Sequence, residues 1–287
     1  MISAFYLALA SSFIMSASTI LEKKTLKQEH AAAYSASFSL VVALISLALI
    51  FFAKFNIDII ELAIIYIISL ISTTTYLLTA RVLKHGNISI ATPILSSLPM
   101  VFLVIISFLF LGEVLTPLQY LLIAILIVSG YLMIFGKDTG KNGFEKSKYA
   151  YMLIATCFLM AVGGVAMKYL FLQGVNLIEY FIIAMLFISL NYMVFMSLKY
   201  GGIKEIFSNL RKYKLQIITI GGLTVSYRVL YYLSVYLTFI SLVAPIRNSV
   251  YVMITTLAGG FLFKESGLPR KIILAGIMLV CLYYLSI

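Results

Sequence analysis

The sequence predicts an all-α integral membrane protein whose ten transmembrane helices form two inverted five-helix repeats. Three observations carry that expectation. Of 287 residues, 63% are hydrophobic and only 11% are charged, against roughly 25% charged in an ordinary soluble domain. The apolar residues fall in ten runs, each near the length of about 20 residues that crosses a bilayer as a helix. The runs of the second half repeat those of the first at a nearly constant offset.

Bounded by charges, Gly or Pro, the runs cover about 3–21, 31–53, 59–80, 88–111, 117–136, 149–170, 176–198, 214–238, 240–263 and 268–287. The longest polar stretch, KDTGKNGFEKSK at 137–148, divides them five and five. The predicted organisation is a first repeat over 1–137, a polar linker over 138–148 and a second repeat over 149–287. The start, Met1-Ile2-Ser3-Ala4-Phe5, enters the first run without a basic region or a small-residue cleavage site. A retained first helix is expected there rather than a cleaved signal peptide.

The repeat is clearest in the fourth and ninth runs. ISIATPILSSL at 88–98 aligns with ISLVAPIRNSV at 240–250, bringing Pro93 onto Pro245 and Ser97 onto Ser249 at an offset of 152. The same offset carries LGEVLTP at 111–117 onto FKESGLP at 263–269, so Glu113 meets Glu265 and Pro117 meets Pro269. An earlier pair, FIMSASTILEKK and FLMAVGGVAMKY, matches at 145 and brings Lys23 onto Lys168. Five is odd, so a second copy that crosses five times is inverted relative to the first. Inverted repeats are a common secondary-transporter architecture, with the substrate site near the midplane between the copies.

The segment Leu111-Gly112-Glu113-Val114-Leu115-Thr116-Pro117-Leu118-Gln119, continuing to Gly130, resembles the EamA repeat of the drug/metabolite transporter superfamily. The second copy departs from it, with Lys264 in place of the glycine and Gly267 in place of Thr116. The resemblance implies a ten-helix transporter with a central cavity lined mainly by helices 1, 3, 4, 6, 8 and 9, and with helices 5 and 10 at the periphery. It also implies cytoplasmic termini. The charge pattern points the other way: 17 of the 21 Lys and Arg fall in the loops after runs 1, 3, 5, 7 and 9, which the positive-inside rule places in the cytoplasm.

The net charge of +11 is spread in short clusters between apolar runs, which is the pattern of membrane-protein loops and not of a nucleic-acid footprint. Cys157 and Cys281 fall inside apolar runs, and His30 and His85 stand alone near run ends. No metal site is expected from ligands so placed, and no cofactor. The Asp and Glu residues are scattered singly, so no acid cluster for a membrane-embedded enzyme is expected. There is no Gly-x-x-x-x-Gly-Lys-Ser/Thr segment, so ATP is not expected to drive the protein directly.

Two arginines stand within spans. Arg228 lies midway along the eighth run and Arg247 one to two turns into the ninth. A cation near the bilayer centre costs at least about 2.5–3.5 kcal/mol and normally faces a cavity or a partner. Arginine cannot lower that cost by losing its proton. No carboxylate stands at a span centre; Glu22, Glu113 and Glu265 lie near helix ends. An anion supplied from outside would match the forked donors; backbone carbonyls or the interface are the structural alternatives. Thr224, Arg228 and Tyr231 recur at i, i+4, i+7 on helix 8, with Tyr227 beside them, and Arg247 and Tyr251 at i, i+4 on helix 9. Such spacings share one helix face. Thr92 and Ser96 on helix 4, and Ser72 and Thr75 on helix 3, either line the same cavity or form small-residue packing surfaces. Pro93 and Pro245 bend or open their helices near the start, as does Gly163-Gly164 in helix 6. Lys23 and Lys168 either guard the cavity mouths or anchor helices at the interface.

The expected function is secondary transport of a small organic anion or zwitterionic metabolite by alternating access, in a multi-pass protein of the cell (plasma or cytoplasmic) membrane. Its expected partners are that small molecule and the lipid bilayer, without nucleic acid and without a required oligomer. The alternatives are proton-coupled export of drugs or hydrophobic cations, with Glu22 as the candidate proton carrier, and, from another class, a membrane scaffold, lipid scramblase or transferase.

Overall fold

The computed structural model describes residues 2–26, 31–85, 88–132, 148–199, 202–263 and 268–286. They form α1 (Ile2–Leu26), α2 (Ala31–Ser46), α3 (Ile59–His85), α4 (Ile88–Leu111), α5 (Pro117–Leu132), α6 (Lys148–Leu172), α7 (Leu177–Lys199), α8 (Ile203–Leu237), α9 (Ile240–Phe263) and α10 (Leu268–Ser286). A 3₁₀ helix, Leu47–Phe52, prolongs α2. Among the described residues there is no strand. Each of the ten expected runs is helical over most of its described residues, and the boundary at 138–148 falls almost wholly outside the described residues. Six segments are long and apolar enough to cross a membrane, in α1, α2 with its 3₁₀ extension, α3, α6, α7 and α9. Shorter apolar stretches lie in α4, α5 and α10.

Helix ends follow local chemistry. Gly112 ends α4 at φ +64°, a left-handed conformation that costs glycine no Cβ clash. Four residues on, Thr116 and Gln119 exchange bonds: the Thr116 N–H donates to Gln119 Oε1 at 3.0 Å and the Gln119 N–H to Thr116 Oγ1 at 3.3 Å. This is a capping box, with Pro117 at the first helical position where its missing N–H costs nothing. Asp58 and Glu61 cap α3 in the same reciprocal way, at 3.1 and 2.7 Å.

The α8–α9 junction takes its caps from distant helices. Lys168 of α6 is 5% exposed, and its ammonium donates to the Val235 carbonyl at 2.7 Å and the Thr238 carbonyl at 2.9 Å. A cation is favourable at these C-terminal carbonyls. Glu113, 4% exposed, accepts from the Ile240 N–H at 3.0 Å, the Ser241 N–H at 2.9 Å and the Ser241 hydroxyl. Two opposite charges thus satisfy two facing helix ends and bind α4, α6, α8 and α9 at one point.

Several boundaries differ from the expected runs: α1 runs on to Leu26 and α3 to His85, one turn or more past the apolar residues. The eighth helix starts at Ile203 and not near 214, because the charged stretch after Gly202 is amphipathic and not polar throughout. Ile206 and Asn209 are buried while Lys204, Glu205, Phe207, Ser208, Arg211 and Lys212 are exposed. The backbone departs from helical values at Tyr213 (φ −120°, ψ 28°), dividing α8 into that segment and a more apolar part that runs to Leu237. α2 tightens into 3₁₀ geometry at Leu47.

α1 packs on α8 and α9, α4 on α9 and α6, α3 on α6 and α7, and α2 on α7 and α8. α5 and α10 lie together against α4 and α9, at the periphery. Leu109, Phe110, Leu118, Leu121, Ile273 and Val280 point outward from this side, as lipid-facing side chains do. One buried cluster joins Leu26, Ala31, Ala80 and Ile217, so the helix ends next to the basic connections after the first, third and seventh helices meet at one end of the bundle.

Close approach of α2 and α8 depends on Gly221, where an added Cβ would stand 2.8 Å from Val41 Cγ1. Gly222 has open space at the same position. Gly221→Ala is therefore expected to lower the thermal unfolding midpoint in detergent, since overpacking costs roughly 1–3 kcal/mol, while Gly222→Ala does not; equal midpoints would remove the close contact. Glu113→Ala is expected to be destabilising by roughly 1–3 kcal/mol, because it leaves two buried N–H groups without an acceptor. An unchanged midpoint in that variant would show that the Ile240 and Ser241 amides find other acceptors.

Candidate functional site

Two guanidiniums are held inside the bundle by aromatic faces. Arg228 Cζ stands 4.6 Å from the centre of the Tyr76 ring and 5.8 Å from that of Tyr227. Arg247 Cζ stands 4.2 Å from Tyr231 and 5.5 Å from Tyr227. Tyr227 is therefore shared, and the two guanidinium carbons are no more than about 11 Å apart. A cation over a tyrosine face gains about 0.5–1 kcal/mol when exposed and about 2 when desolvated. Such contacts offset much of the cost of placing each arginine there without giving its N–H groups strong acceptors.

The N–H groups find weak ones. Arg228 Nη1 donates to Met185 Sδ at 3.8 Å, and its buried Nε has no hydrogen-bond partner. The hydroxyls of Tyr76 and Tyr227 stand near enough to interact with the same guanidinium. Arg247 donates from Nε to Ser11 Oγ at 3.2 Å and from Nη2 to Met15 Sδ at 2.8 Å. A thioether is a weak acceptor. The result is a donor-rich, acceptor-poor pair of cations, Arg228 only 9% exposed and Arg247 half-buried.

Serines of α1 fix the two helices that carry them. Ser11 donates to the Tyr227 carbonyl at 2.8 Å while accepting from Arg247. Ser12 Oγ reaches the Arg247 carbonyl at 2.9 Å, and Ser18 bonds Thr224 at 3.2 Å. Small hydroxyl side chains let α1 approach closely and satisfy carbonyls that the helix ladder leaves accessible.

The expected residues divide into three groups. Arg228, Arg247, Tyr227 and Tyr231 form one cluster. Tyr251 is buried beside it, in electrostatic contact with Arg247 and Tyr227, and Thr224 turns to α1. Ser96, Ser72 and Thr75 serve backbone contacts: the Ser96 carbonyl accepts from Asn248 Nδ2 at 3.3 Å, and Thr75 donates to the Ser72 carbonyl at 3.0 Å. The side chains of Thr92 and Pro93 lie outside the described residues. Pro245 sits within an unbroken α9, and Gly163-Gly164 within an unbroken α6. Lys23 is buried at 5% exposure and Lys168 caps α8, so in this conformation neither side chain is exposed at an open mouth.

Tyr76, Ser11, Met15 and Met185 escape a reading of the sequence by motif. Tyr76 carries one signal: it precedes Arg228 by 152 residues, the offset of the repeat. Ser11 and Met15 are i, i+4 on α1 and look like ordinary packing; α7 was not expected to contribute, and nothing in the sequence marks Met185. Glu22 also belongs nearer the site than its place late in α1 suggests. It is half-buried and interacts electrostatically with Arg228, Tyr34, Tyr192 and Tyr251.

Comparison with known proteins agrees with this architecture. A solved crystal structure superimposes with a TM-score of 0.72 over 99% of this chain and 98% of the other, at 12% sequence identity; at that identity the likeness concerns the fold. A comparison with curated sequences gives no match. Residues 2–136 match the EamA-like transporter family, which bears out the resemblance read from Leu111 to Gly130. The chain is a multi-pass membrane protein, helical throughout its described segments apart from short connections, and its residues 2–136 match the EamA-like transporter family.

Proposed function

We propose that the chain is a secondary transporter of a small organic anion or zwitterionic metabolite, with Arg228 and Arg247 as the groups that hold the anionic part. The observation that carries this reading is the mismatch at the two guanidiniums: many strong donors face thioethers, ring faces and the neutral hydroxyls of Ser11, Tyr76 and Tyr227. A carboxylate or phosphate between them would give those donors charge-assisted bonds, roughly twice as strong as neutral ones. Tyr227, shared by both cations, stands where a ligand bridging them would be bounded. Thr224, Tyr231 and Tyr251 complete the wall, and Ser72, Thr75, Thr92 and Ser96 are second-rank lining candidates.

Two inverted five-helix units over 1–137 and 149–287 are part of the same proposal. The helix contacts support them, since the pairs α1·α8 and α3·α6, α2·α8 and α3·α7, and α1·α9 and α4·α6 each exchange when the halves are exchanged. Residues 152 apart also touch: Asn248 bonds Ser96, and Arg228 lies over Tyr76. Equivalent residues that meet straddle the axis relating two copies. Rocking of one unit on the other about that axis would expose the arginines to each side in turn, with Pro93 and Pro245 as yielding points and with Lys23 and Lys168 holding helix ends.

The test is thermal stabilisation of the purified protein by a panel of metabolites. A ligand at about 100 times its dissociation constant adds roughly 2.7 kcal/mol of apparent stability. Organic anions are expected to raise the wild-type midpoint, and Arg228→Gln to need at least about 30-fold more ligand, since loss of a buried charge contact costs about 2 kcal/mol or more. Equal titrations in wild type and variant would remove Arg228 as the anchor.

Glu22 supports a second reading, proton-coupled export of a hydrophobic cation. Its carboxylate interacts electrostatically with Tyr34, Tyr192 and Tyr251, and an embedded carboxylate near aromatic side chains is an acceptor that a desolvated cation favours. Under that reading lipophilic cations stabilise the protein, Glu22→Gln abolishes the effect and Arg228→Gln leaves it in place. Stabilisation by anions that survives Glu22→Gln excludes it.

A further inference from the structure

We propose that the outward face of the first three turns of α8 binds the phosphodiester headgroup of an anionic membrane lipid. The length of the helix places this face. α8 has 35 residues, about 52 Å at 1.5 Å per residue, against a hydrocarbon core of about 30 Å. The part after the irregular backbone at Tyr213 is long enough to fill the core alone, so Ile203–Lys212 lies in the headgroup region.

The segment is fixed there by its inner face. Ile206 and Asn209 are buried, the Ser37 hydroxyl of α2 donates to the Ile206 carbonyl at 3.0 Å, and Leu210 and Tyr213 pack on Leu26, Ala31, Tyr34 and Ile217. The outer face is a built surface and not a loose strand of charges. Lys204, Phe207, Ser208, Arg211 and Lys212 border one shallow, open surface site. Lys204, Ser208 and Arg211 recur at i, i+4, i+7 and share one side. Lys212 Nζ stands 4.9 Å over the Tyr213 ring, and Lys214 is exposed in the next turn. Glu205 is the one acid of the segment.

The apolar part of the surface decides between a lipid and a free anion. Phe207 is 58% exposed and Leu215 is 80% exposed, interleaved with the cations. A phosphate ion would engage the cations and leave both apolar side chains in water. A lipid covers both with its glycerol backbone and upper acyl chains while its phosphate takes the arginine fork and the lysines. This inference rests on the membrane-spanning fold and is independent of the Arg228 site.

The test titrates the full chain, purified in detergent, with phosphatidylglycerol, phosphatidylcholine of the same acyl chains, or inorganic phosphate, and reads the thermal midpoint. Phosphatidylglycerol is expected to raise the wild-type midpoint, with the other two ineffective. The variant Lys204→Gln/Arg211→Gln/Lys212→Gln is expected to need at least tenfold more phosphatidylglycerol for the same rise. Arg211→Gln alone, at an exposed position, gives a smaller displacement of the same sign and serves if the triple variant does not fold. Equal titrations in wild type and both variants overturn the site. An equal rise with phosphatidylcholine overturns its charge selectivity, and an equal rise with inorganic phosphate overturns the lipid assignment. Retained metabolite stabilisation in the triple variant separates this site from the arginine pair.

Discussion

A guanidinium inside a bilayer cannot shed its proton, so a chain that carries two of them in adjacent helices must surround each with something. Here the surroundings are mostly tyrosine faces. A ring face attracts a cation through its quadrupole without occupying the N–H groups in the way a carboxylate does. It keeps Arg228 and Arg247 in place while their hydrogen-bonding capacity meets only neutral partners: Met185, Met15 and the hydroxyls of Ser11, Tyr76 and Tyr227. A neutralising salt bridge at each arginine would have made the same depth tolerable and filled the site. This choice of partner is what makes the pair a candidate for an external anion, and it is also why the loss of Tyr76 or Tyr231 and the loss of an arginine have different meanings.

The rest of the bundle holds those two helices at matching depth. Ser11 and Ser12 bind the backbone of α8 at Tyr227 and of α9 at Arg247, so a single helix, α1, spans both cations. At the far end Lys168 and Glu113 satisfy the carbonyls that close α8 and the amides that open α9. Glu113 belongs to the Leu111–Gln119 segment that marks the family resemblance, and each polar member of that segment has a physical task. Gly112 supplies the left-handed turn, Glu113 caps a helix from the other half of the chain, and Thr116 with Gln119 starts α5.

The number and extent of the helices were legible because lipid imposes a blunt rule: about 20 apolar residues or no crossing. The rule fails where a helix leaves the hydrocarbon. Ile203–Lys212 is as helical as the spans, but its charges hide it from a hydropathy reading, and only the period of Ile206, Asn209, Leu210 and Tyr213 betrays it. In the candidate site, the arginines and the tyrosines on their own helices were legible because a cation in a span is costly and because i, i+4, i+7 spacing shares a face. The partners from other helices were not. Tyr76, Met15 and Met185 depend on which helices pack together, and residue spacing within one helix carries nothing about its neighbour. Glu22 was placed near a helix end by count, yet α1 runs to Leu26 and its last turns remain inside the bundle.

The central proposal, that the arginine pair receives an anion on its way across the membrane, is tested most directly by electrical recording from proteoliposomes on a solid-supported membrane. Concentration jumps of organic anions would be applied to the wild type and to the double variant Arg228→Gln/Arg247→Gln, reconstituted at equal density. The account predicts saturable anion-evoked currents in the wild type and none in the double variant. Currents of equal size in both, or currents evoked by organic cations alone, would contradict it.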